Sequence, residues 1–367
     1  MMDENSTTKQ SINNTTKAVG LPDAFFDPAW QLALTVEFYF KYAVLAIGIF
    51  GTAANALVLY ALVAHHARDA KKRAINLLII NQNLLDLSCC LLLVISVSIQ
   101  INSPHLTGAV GYLLCVLFLT DTATYCALYG SIINLVALTL ERYLKVVHPF
   151  WSKKHLKRWM IQIAMAFAWI GGIASSSPPP FIMSRVEYGT CLSYFESQES
   201  NWILGSCNFS IFFFVPLVVF VYCYGRIVVV MRRQMRVMAG HNVEGSAQMN
   251  ASQAQSKRIK WNIIKTMIIV SVAFVVCWLP NNILFLVLIY SPVPSGNMVV
   301  GYYPTVFLAY LNICMNPFIY ALKHEGVKTQ LARLLVCRRP NDVGDAPGAS
   351  GSRAGGTRET GTGVRHH

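Results

Sequence analysis

The sequence has few charged residues for its length. Aspartate, glutamate, lysine and arginine make up 13% of the 367 residues, whereas an ordinary soluble domain has about a quarter. Apolar residues make up 54%, a fraction that also excludes a disordered chain. Because these apolar residues occur in long blocks, we expect one polytopic membrane domain rather than several soluble domains.

Signatures of several enzyme classes are missing as well. The nine histidines include no HExxH zinc motif, and neither Gly-x-Ser-x-Gly nor a phosphate-binding P-loop occurs. The two halves of the chain show no internal repeat, a feature that many secondary transporters have. We therefore expect no enzyme activity. A transporter or channel stays open as an alternative, since Asp86 could lie on an ion path.

Seven apolar blocks are long enough to cross a bilayer, which takes about 20 residues. Numbered as spans one to seven, they cover residues 38–64, 75–101, 109–143, 158–182, 205–235, 259–290 and 299–322. The sequence predicts an all-α bundle of seven transmembrane helices with a short amphipathic eighth helix. The predicted divisions are an extracellular tail at 1–37, the bundle at 38–323, the amphipathic helix at 324–337 and a disordered cytosolic tail at 338–367.

The basic residues indicate the orientation of the bundle. All lysines and arginines except Lys9, Lys17, Lys41 and Arg185 fall in the alternate loops and the C-terminal stretch on one side. The positive-inside rule places that side in the cytosol and the N-terminus outside. The basic charge is then topological, so we expect a multi-pass plasma-membrane protein and no nucleic-acid partner.

Several residues are candidates for covalent modification. Glycan acceptor triplets begin at Asn5, Asn13 and Asn14 in the extracellular tail. Cys115 and Cys191 both fall near the outer, oxidising side, which favours a disulfide between them. Cys337 follows a short basic stretch after span seven and suits palmitoylation, with an unmodified thiol as the alternative.

Span two carries a carboxylate, Asp86, at mid-membrane depth, where a charge is costly. Ser131, Asn312 and Asn316 lie at comparable depth in spans three and seven. Carboxylate, hydroxyl and amide oxygens suit a hard cation, so we expect a sodium ion as an allosteric ligand and no other cofactor. A purely structural hydrogen-bond network is the alternative.

Motifs of a known family follow one another along the spans. They are Asn55, Asp86, Glu141-Arg142-Tyr143, Trp169, Pro216, Tyr224, Phe274, Cys277-Trp278-Leu279-Pro280 and Asn316-Pro317-Phe318-Ile319-Tyr320. In this order they resemble the rhodopsin-like (class A) G-protein-coupled receptors, over about residues 38–337. The resemblance implies a receptor for an extracellular ligand, with a heterotrimeric G protein and arrestin as partners and membrane lipids around the bundle.

The resemblance also implies a switch between two conformations. Glu141 would hold Arg142 at rest and release it towards the G protein on activation, when Tyr224 and Tyr320 move towards it. Trp278 would report ligand occupancy to span six. The implied switch residues are Glu141, Arg142, Tyr143, Tyr224, Phe274, Trp278, Pro280, Asn316, Pro317 and Tyr320.

Three positions depart from the family pattern. Lys260 stands where an acidic partner of the span-three arginine is frequent, so we expect a weakly held resting state and ligand-independent signalling. Cys115 lies 27 residues before Arg142, two more than usual. Val327 replaces the usual aromatic residue of the short helix after span seven.

The ligand class follows less directly from the sequence. Thr124 stands where amine receptors have an aspartate, and Asp121 lies one turn nearer the surface. The expected pocket residues are Asp121, Thr124, Asn208, Trp278, Asn281, Asn282 and Tyr310. The loop at 183–204 and the N-terminal tail are acidic, which favours a basic peptide of the neuropeptide kind. A small amine or other small molecule is the alternative, with the acidic loops merely solvated.

Overall fold

The computed structural model describes residues 28–68, 73–193, 197–240, 247–291, 296–323, 327–328 and 332. Within these ranges seven helices are long and apolar enough to cross a membrane. The prediction of an all-α, seven-helix membrane bundle is therefore confirmed. The glycan sites Asn5, Asn13 and Asn14, the proposed palmitate site Cys337 and the predicted cytosolic tail lie outside the described residues.

Most spans are single long helices, and three of them are interrupted. The uninterrupted helices are span one (Pro28–Arg68), span two (Arg73–Asn102), span six (Ala247–Tyr290) and span seven (Gly296–Lys323). Span three consists of Gly108–Leu114, a π-helical segment Cys115–Leu119 and Thr122–Val147, and span four of Arg158–Ser176 and Pro178–Met183. Span five consists of Gln198–Phe209, a π-helical segment Ser210–Phe214 and Val215–Gly240. A short helix, Pro149–His155, follows span three.

Span one includes part of what was predicted to be the extracellular tail. Its helix already includes Pro28, and proline is well tolerated in a first helical turn because its missing N–H would have no partner there. Glu37 is consequently helical, and it pairs with Lys41 at 2.8 Å, one turn later. The Tyr303 hydroxyl of span seven donates to Glu37 at 3.2 Å, so this carboxylate ties spans one and seven together.

A β-hairpin covers the N-terminal end of span three, called the outer end here because the positive-inside rule predicts that it is extracellular; the opposite end is called inner. Strands β1 (Ser184–Glu187) and β2 (Thr190–Ser193) pair antiparallel, with Val186 opposite Cys191. A disulfide joins Cys191 to Cys115, which confirms that prediction. At the turn, Gly189 has φ +76°, and a Cβ there would lie 2.2 Å from the His105 ring. Only glycine fits this contact between the hairpin and the loop after span two.

The longer spacing between Cys115 and Arg142 has a local structural cause. A π-helical turn, which holds more residues than an α-helical turn, covers Cys115–Leu119. The chain then breaks at Asp121, whose backbone is left-handed with φ +57°. These two irregularities absorb the extra length, so the disulfide forms and Arg142 still lies at the inner end of span three.

The outer faces of the helices are apolar. On span four, the side chains of Ile163, Phe167 and Ile170 are more than half exposed and follow helical spacing along one face. Such a stripe suits lipid contact. Of the predicted helix at 324–337, only residues 327, 328 and 332 are described, so that helix stays a prediction. Val327 is fully buried in the core of the bundle.

Candidate functional site

The Asp86 carboxylate lies at the centre of a buried polar cluster and is 1% exposed. The Ser131 hydroxyl of span three donates to its Oδ1 at 2.6 Å. The Asn316 amide of span seven donates to its Oδ2 at 2.8 Å. The structure thus brings three of the four predicted sodium ligands together, and hydrogen bonds to the charged form stabilise a buried carboxylate.

Two buried amide oxygens of span seven favour a cation. The Oδ1 atoms of Asn312 and Asn316 are buried and accept no hydrogen bond from the described part of the chain. Leaving a buried acceptor unsatisfied costs about 1–3 kcal/mol. A sodium ion would satisfy such oxygens, because it binds hard oxygen ligands. Together with Asp86 and Ser131, these residues fit the predicted ion.

At the inner end of span three, Glu141 and Arg142 form a buried ion pair. Arg142 Nε lies 3.1 Å from Glu141 Oε2, and both side chains are less than a tenth exposed. Lys145, one turn further along, contacts the other carboxylate oxygen, Oε1. The pairing of Glu141 with Arg142 is the contact that was predicted for a resting conformation, and its role as a switch stays a prediction. Lys145 was not predicted as a partner of Glu141, although its i+4 spacing from that residue is a visible signal in the sequence.

The structure also places three of the other predicted switch residues. The Tyr224 hydroxyl lies 3.1 Å from Thr139 Oγ1 of span three, while Tyr143 packs against the rings of Tyr222 and His148. Pro317 interrupts the backbone hydrogen bonding of span seven. The side chains of Lys260 and Tyr320 lie outside the described residues.

Aromatic rings connect the middle of the bundle to span six. The ring of Phe274 is almost fully buried, and its centroid lies 6.1 Å from that of Trp278. Phe213 and Phe220 of span five pack on the same ring at 6.2 and 5.7 Å. Pro280, two residues beyond Trp278, lies inside the helix and provides a hinge. A displaced Trp278 would therefore move its neighbours in spans five and six.

The predicted ligand residue Asp121 lies at the break in span three, near its outer end. Gln100 of span two donates to Asp121 Oδ1 at 3.0 Å, so the carboxylate has a fixed orientation. Below it, the rings of Tyr125 and Tyr129 pack together, with their centroids 5.6 Å apart. Deeper still, the indole Nε1 of Trp278 is buried and has no hydrogen-bond partner among the described residues. An outer carboxylate and an unpaired deep N–H are features of a polar ligand pocket.

The other predicted pocket residues take different positions. Asn208 donates to the hydroxyl of Tyr129, and Asn281 is partly buried in span six. Asn282 donates to the backbone carbonyl of Trp278 at 2.9 Å, within its own helix. Thr124 is fully buried, with its hydroxyl 3.3 Å from Ser96 Oγ, so it lies between spans two and three.

A separate cavity of about 720 Å³ lies beside the hairpin. Its lining includes His105, Leu119, Pro180, Met183 and Thr190, and none of the seven predicted ligand residues. Its walls are mainly apolar, and it has no buried charged group. The orphaned indole and the oriented carboxylate make the interior of the bundle the better candidate pocket.

Comparison with known proteins agrees with this geometry. The model of the family "7 transmembrane receptor (rhodopsin family)" matches residues 54–320. The chain belongs to this family. The receptor is 27% identical to the substance-K receptor of Mus musculus, over 82% of its own length and 75% of that protein. It is also 27% identical to somatostatin receptor type 5 of Rattus norvegicus, over 59% of its own length and 58% of that protein. This second match therefore spans less than two thirds of the length of the somatostatin receptor.

The fold of the receptor is also that of a solved relative. The crystal structure of squid rhodopsin matches 86% of the receptor with a TM-score of 0.66 and 18% identity, covering 92% of that chain. At this identity the likeness concerns the fold alone. Family membership confirms the prediction of a receptor and of a protein that is not an enzyme.

One residue of the Asp86 cluster was missed from the sequence of this receptor. Gln82 Nε2 lies 3.3 Å from Asp86 Oδ1 and also donates to Ser131 Oγ. The available signal was spacing, because Gln82 precedes Asp86 by one helical turn and so lies on the same face of span two. The oxygen of Gln82 accepts from Asn134 Nδ2 at 2.8 Å.

Proposed function

We propose that this receptor lies in the plasma membrane with its N-terminus outside, binds a basic extracellular peptide and activates a heterotrimeric G protein, with arrestin as a second cytosolic partner. The observation that carries the proposal is the presence in one bundle of the oriented Asp121 carboxylate, the central Phe274–Trp278 contact and the buried Glu141–Arg142 pair. Relatives are named as receptors for substance K, somatostatin and the C5a anaphylatoxin, and they support a peptide ligand.

The charge of the outer surface favours a basic peptide. Asp121 lies at the break near the outer end of span three, and Glu187 and Glu199 are exposed on the hairpin and at the start of span five. Of the basic residues there, Lys41 is already paired with Glu37. Complementary charge speeds association and selects among ligands. An amine or other small molecule is the alternative, and it would depend on Asp121 without needing the exposed acids.

Activation follows from ligand contacts that differ between two conformations. A group that reaches the unpaired Trp278 N–H would displace the indole and with it Phe274. Movement of span six about Pro280 would open the inner end of the bundle. Arg142 would then leave Glu141 and face the G protein. The basic inner loops would line that cleft, with anionic membrane lipids at its edge.

The Asp86 cluster is proposed to bind sodium in the resting conformation. Asp86, Ser131, Asn312 and Asn316 would hold the ion, whose charge would offset the buried carboxylate. Asn316 lies next to Pro317 in span seven, so any movement of this hinge changes the ion site. Sodium would therefore favour the resting state and oppose agonist binding.

The ligand class can be tested on cells that express the full chain. Peptide and amine libraries are applied to these cells, and G-protein dissociation is the readout. The proposal predicts a response to basic peptides that weakens as salt concentration rises. It also predicts a large loss of potency in Asp121→Asn, with the exposed Glu199→Gln showing a smaller loss through a lower association rate. A response to small amines that depends on Asp121 but not on Glu199 would establish the alternative.

The orientation and the modification sites are tested on the same cells. Glycosidase treatment should lower the apparent mass of the wild type and leave a variant lacking Asn5, Asn13 and Asn14 unchanged. Because glycans are added only on the lumenal side, this result would place the N-terminus outside. Palmitate labelling that Cys337→Ser removes would show that Cys337 carries the lipid. An unlabelled wild type would show a plain thiol there.

A further inference from the structure

A chain of hydrogen bonds runs from span four to the Asp86 carboxylate. The Trp169 indole donates to Asn81 at 3.0 Å, and Asn81 donates to Asn134 at 2.8 Å. Asn134 donates to Gln82, Gln82 to Ser131, and Ser131 to Asp86. Every donor points the same way, towards the negative charge. Such chains polarise one another, so each bond strengthens the next.

Gln82 has a special position in this chain. Its nitrogen contacts Asp86 Oδ1 and Ser131 Oγ, the same two oxygens that a sodium ion would require. The amide hydrogens present positive charge to both oxygens, as a cation would. Gln82 is also 1% exposed and anchored by Asn134, so it cannot swing into solvent.

We propose that Gln82 is an internal competitor of sodium, whose amide nitrogen takes the place of the cation between Asp86 and Ser131. The inference rests on the proposed sodium site and assigns the residue that sets its affinity. The ion binds only when the Gln82 amide withdraws from both oxygens. Sodium is therefore a weak ligand of this receptor, and the resting bundle keeps much of its stability without the ion.

The span-seven oxygens limit how far this replacement goes. The Gln82 amide satisfies oxygens of spans two and three, while Oδ1 of Asn312 and Oδ1 of Asn316 accept no hydrogen bond from the described residues. The amide thus restrains spans two and three against each other. An ion would in addition draw span seven to them.

The test measures the thermal stability of the purified full-length receptor in sodium chloride against choline chloride at equal ionic strength. This readout requires no agonist, and a ligand that binds the folded state raises the melting temperature with its concentration. The test variant is Gln82→Leu. Asn134 Nδ2 keeps one of its two acceptors, the Leu78 carbonyl at 3.0 Å, so the variant leaves a single N–H of that amide without its acceptor. Gln82→Met, closer in shape, repeats the test if the leucine variant expresses poorly.

In Gln82→Leu, the sodium concentration for half the maximal shift should fall about tenfold, the factor expected for one lost hydrogen bond to a charged group. The shift should vanish in the double variant with Asp86→Asn. Ser98→Ala removes a span-two hydroxyl whose one hydrogen bond among the described residues is to the Val94 carbonyl, and it should respond as the wild type does.

Equal sodium dependence in the wild type and in Gln82→Leu would overturn the competitor role and leave the sodium site standing. If neither protein responds to sodium, both the ion site and the competitor are wrong, while the peptide-receptor proposal is untouched. A shift that persists in the double variant would place the ion elsewhere and also overturn the inference.

Discussion

Lys145 and Arg142 contact different oxygens of the same carboxylate, that of Glu141. Glu141 is buried, whereas the Lys145 side chain is 28% exposed. The lysine therefore neutralises part of the charge that holds Arg142. When two cations share one carboxylate, the electrostatic attraction between the carboxylate and each cation is weaker than in a simple pair. The Glu141–Arg142 pair is consequently a loose restraint on the resting state.

Removing this second cation should lower signalling in the absence of ligand. In Lys145→Ala, Glu141 interacts with Arg142 alone, so we expect basal signalling to fall a few-fold, as for one partly exposed ion pair. The measurement is basal second-messenger level at matched surface expression. Lys154→Ala, on the exposed short helix, is the control and should leave the level unchanged. Unchanged or higher basal signalling in Lys145→Ala would show that the lysine does not weaken the restraint.

A new acid at position 260 should act in the same direction. Lys260 is cationic where the resemblance to the rhodopsin-like receptors leads us to expect an acid that pairs with Arg142, so Lys260→Glu should lower basal signalling several-fold. The ligand pocket is remote, and ligand affinity measured with an antagonist should not change. Lys260→Gln removes the repulsion between Lys260 and Arg142 without adding an attractive charge, so it should lower basal signalling less than Lys260→Glu does. Basal levels equal in the wild type and Lys260→Glu would mean that packing alone holds the resting state.

The disulfide should matter for stability and for the pocket entrance. Cys191→Ala releases the hairpin from span three, and loss of a native disulfide costs about 2–5 kcal/mol in small domains. We expect a lower melting temperature and weaker ligand binding. Cys207→Ala removes an exposed free cysteine in span five and serves as the control. Equal melting temperatures for the two variants would mean that the hairpin is held by its other contacts.

The sequence predicted the elements with strong physical signals. A carboxylate in an apolar block is conspicuous, so Asp86 and its partners Ser131 and Asn316 were found. Gln82 was missed because an uncharged amide has no comparable cost, and its role depends on Asn134, which is 52 residues away in the chain. Spacing along the chain cannot show such a contact between helices.

The outer end of the bundle was harder to predict. The sequence showed that two extra residues lie between Cys115 and Arg142. It did not show at which point of span three the helix accommodates them. The π-helical turn and the left-handed Asp121 depend on packing against span two and the hairpin. Thr124 was placed in the pocket by its position in the family, whereas its side chain is buried against Ser96.

Nucleotide exchange on a purified G protein tests the central claim most directly. The full-length receptor in lipid nanodiscs should accelerate exchange when an active basic peptide is added. Arg142→Ala should abolish this acceleration while binding the same peptide with unchanged affinity, because Arg142 lies at the inner end of the bundle. Peptide binding without exchange in the wild type, or ion or substrate flux through the protein instead, would contradict the account.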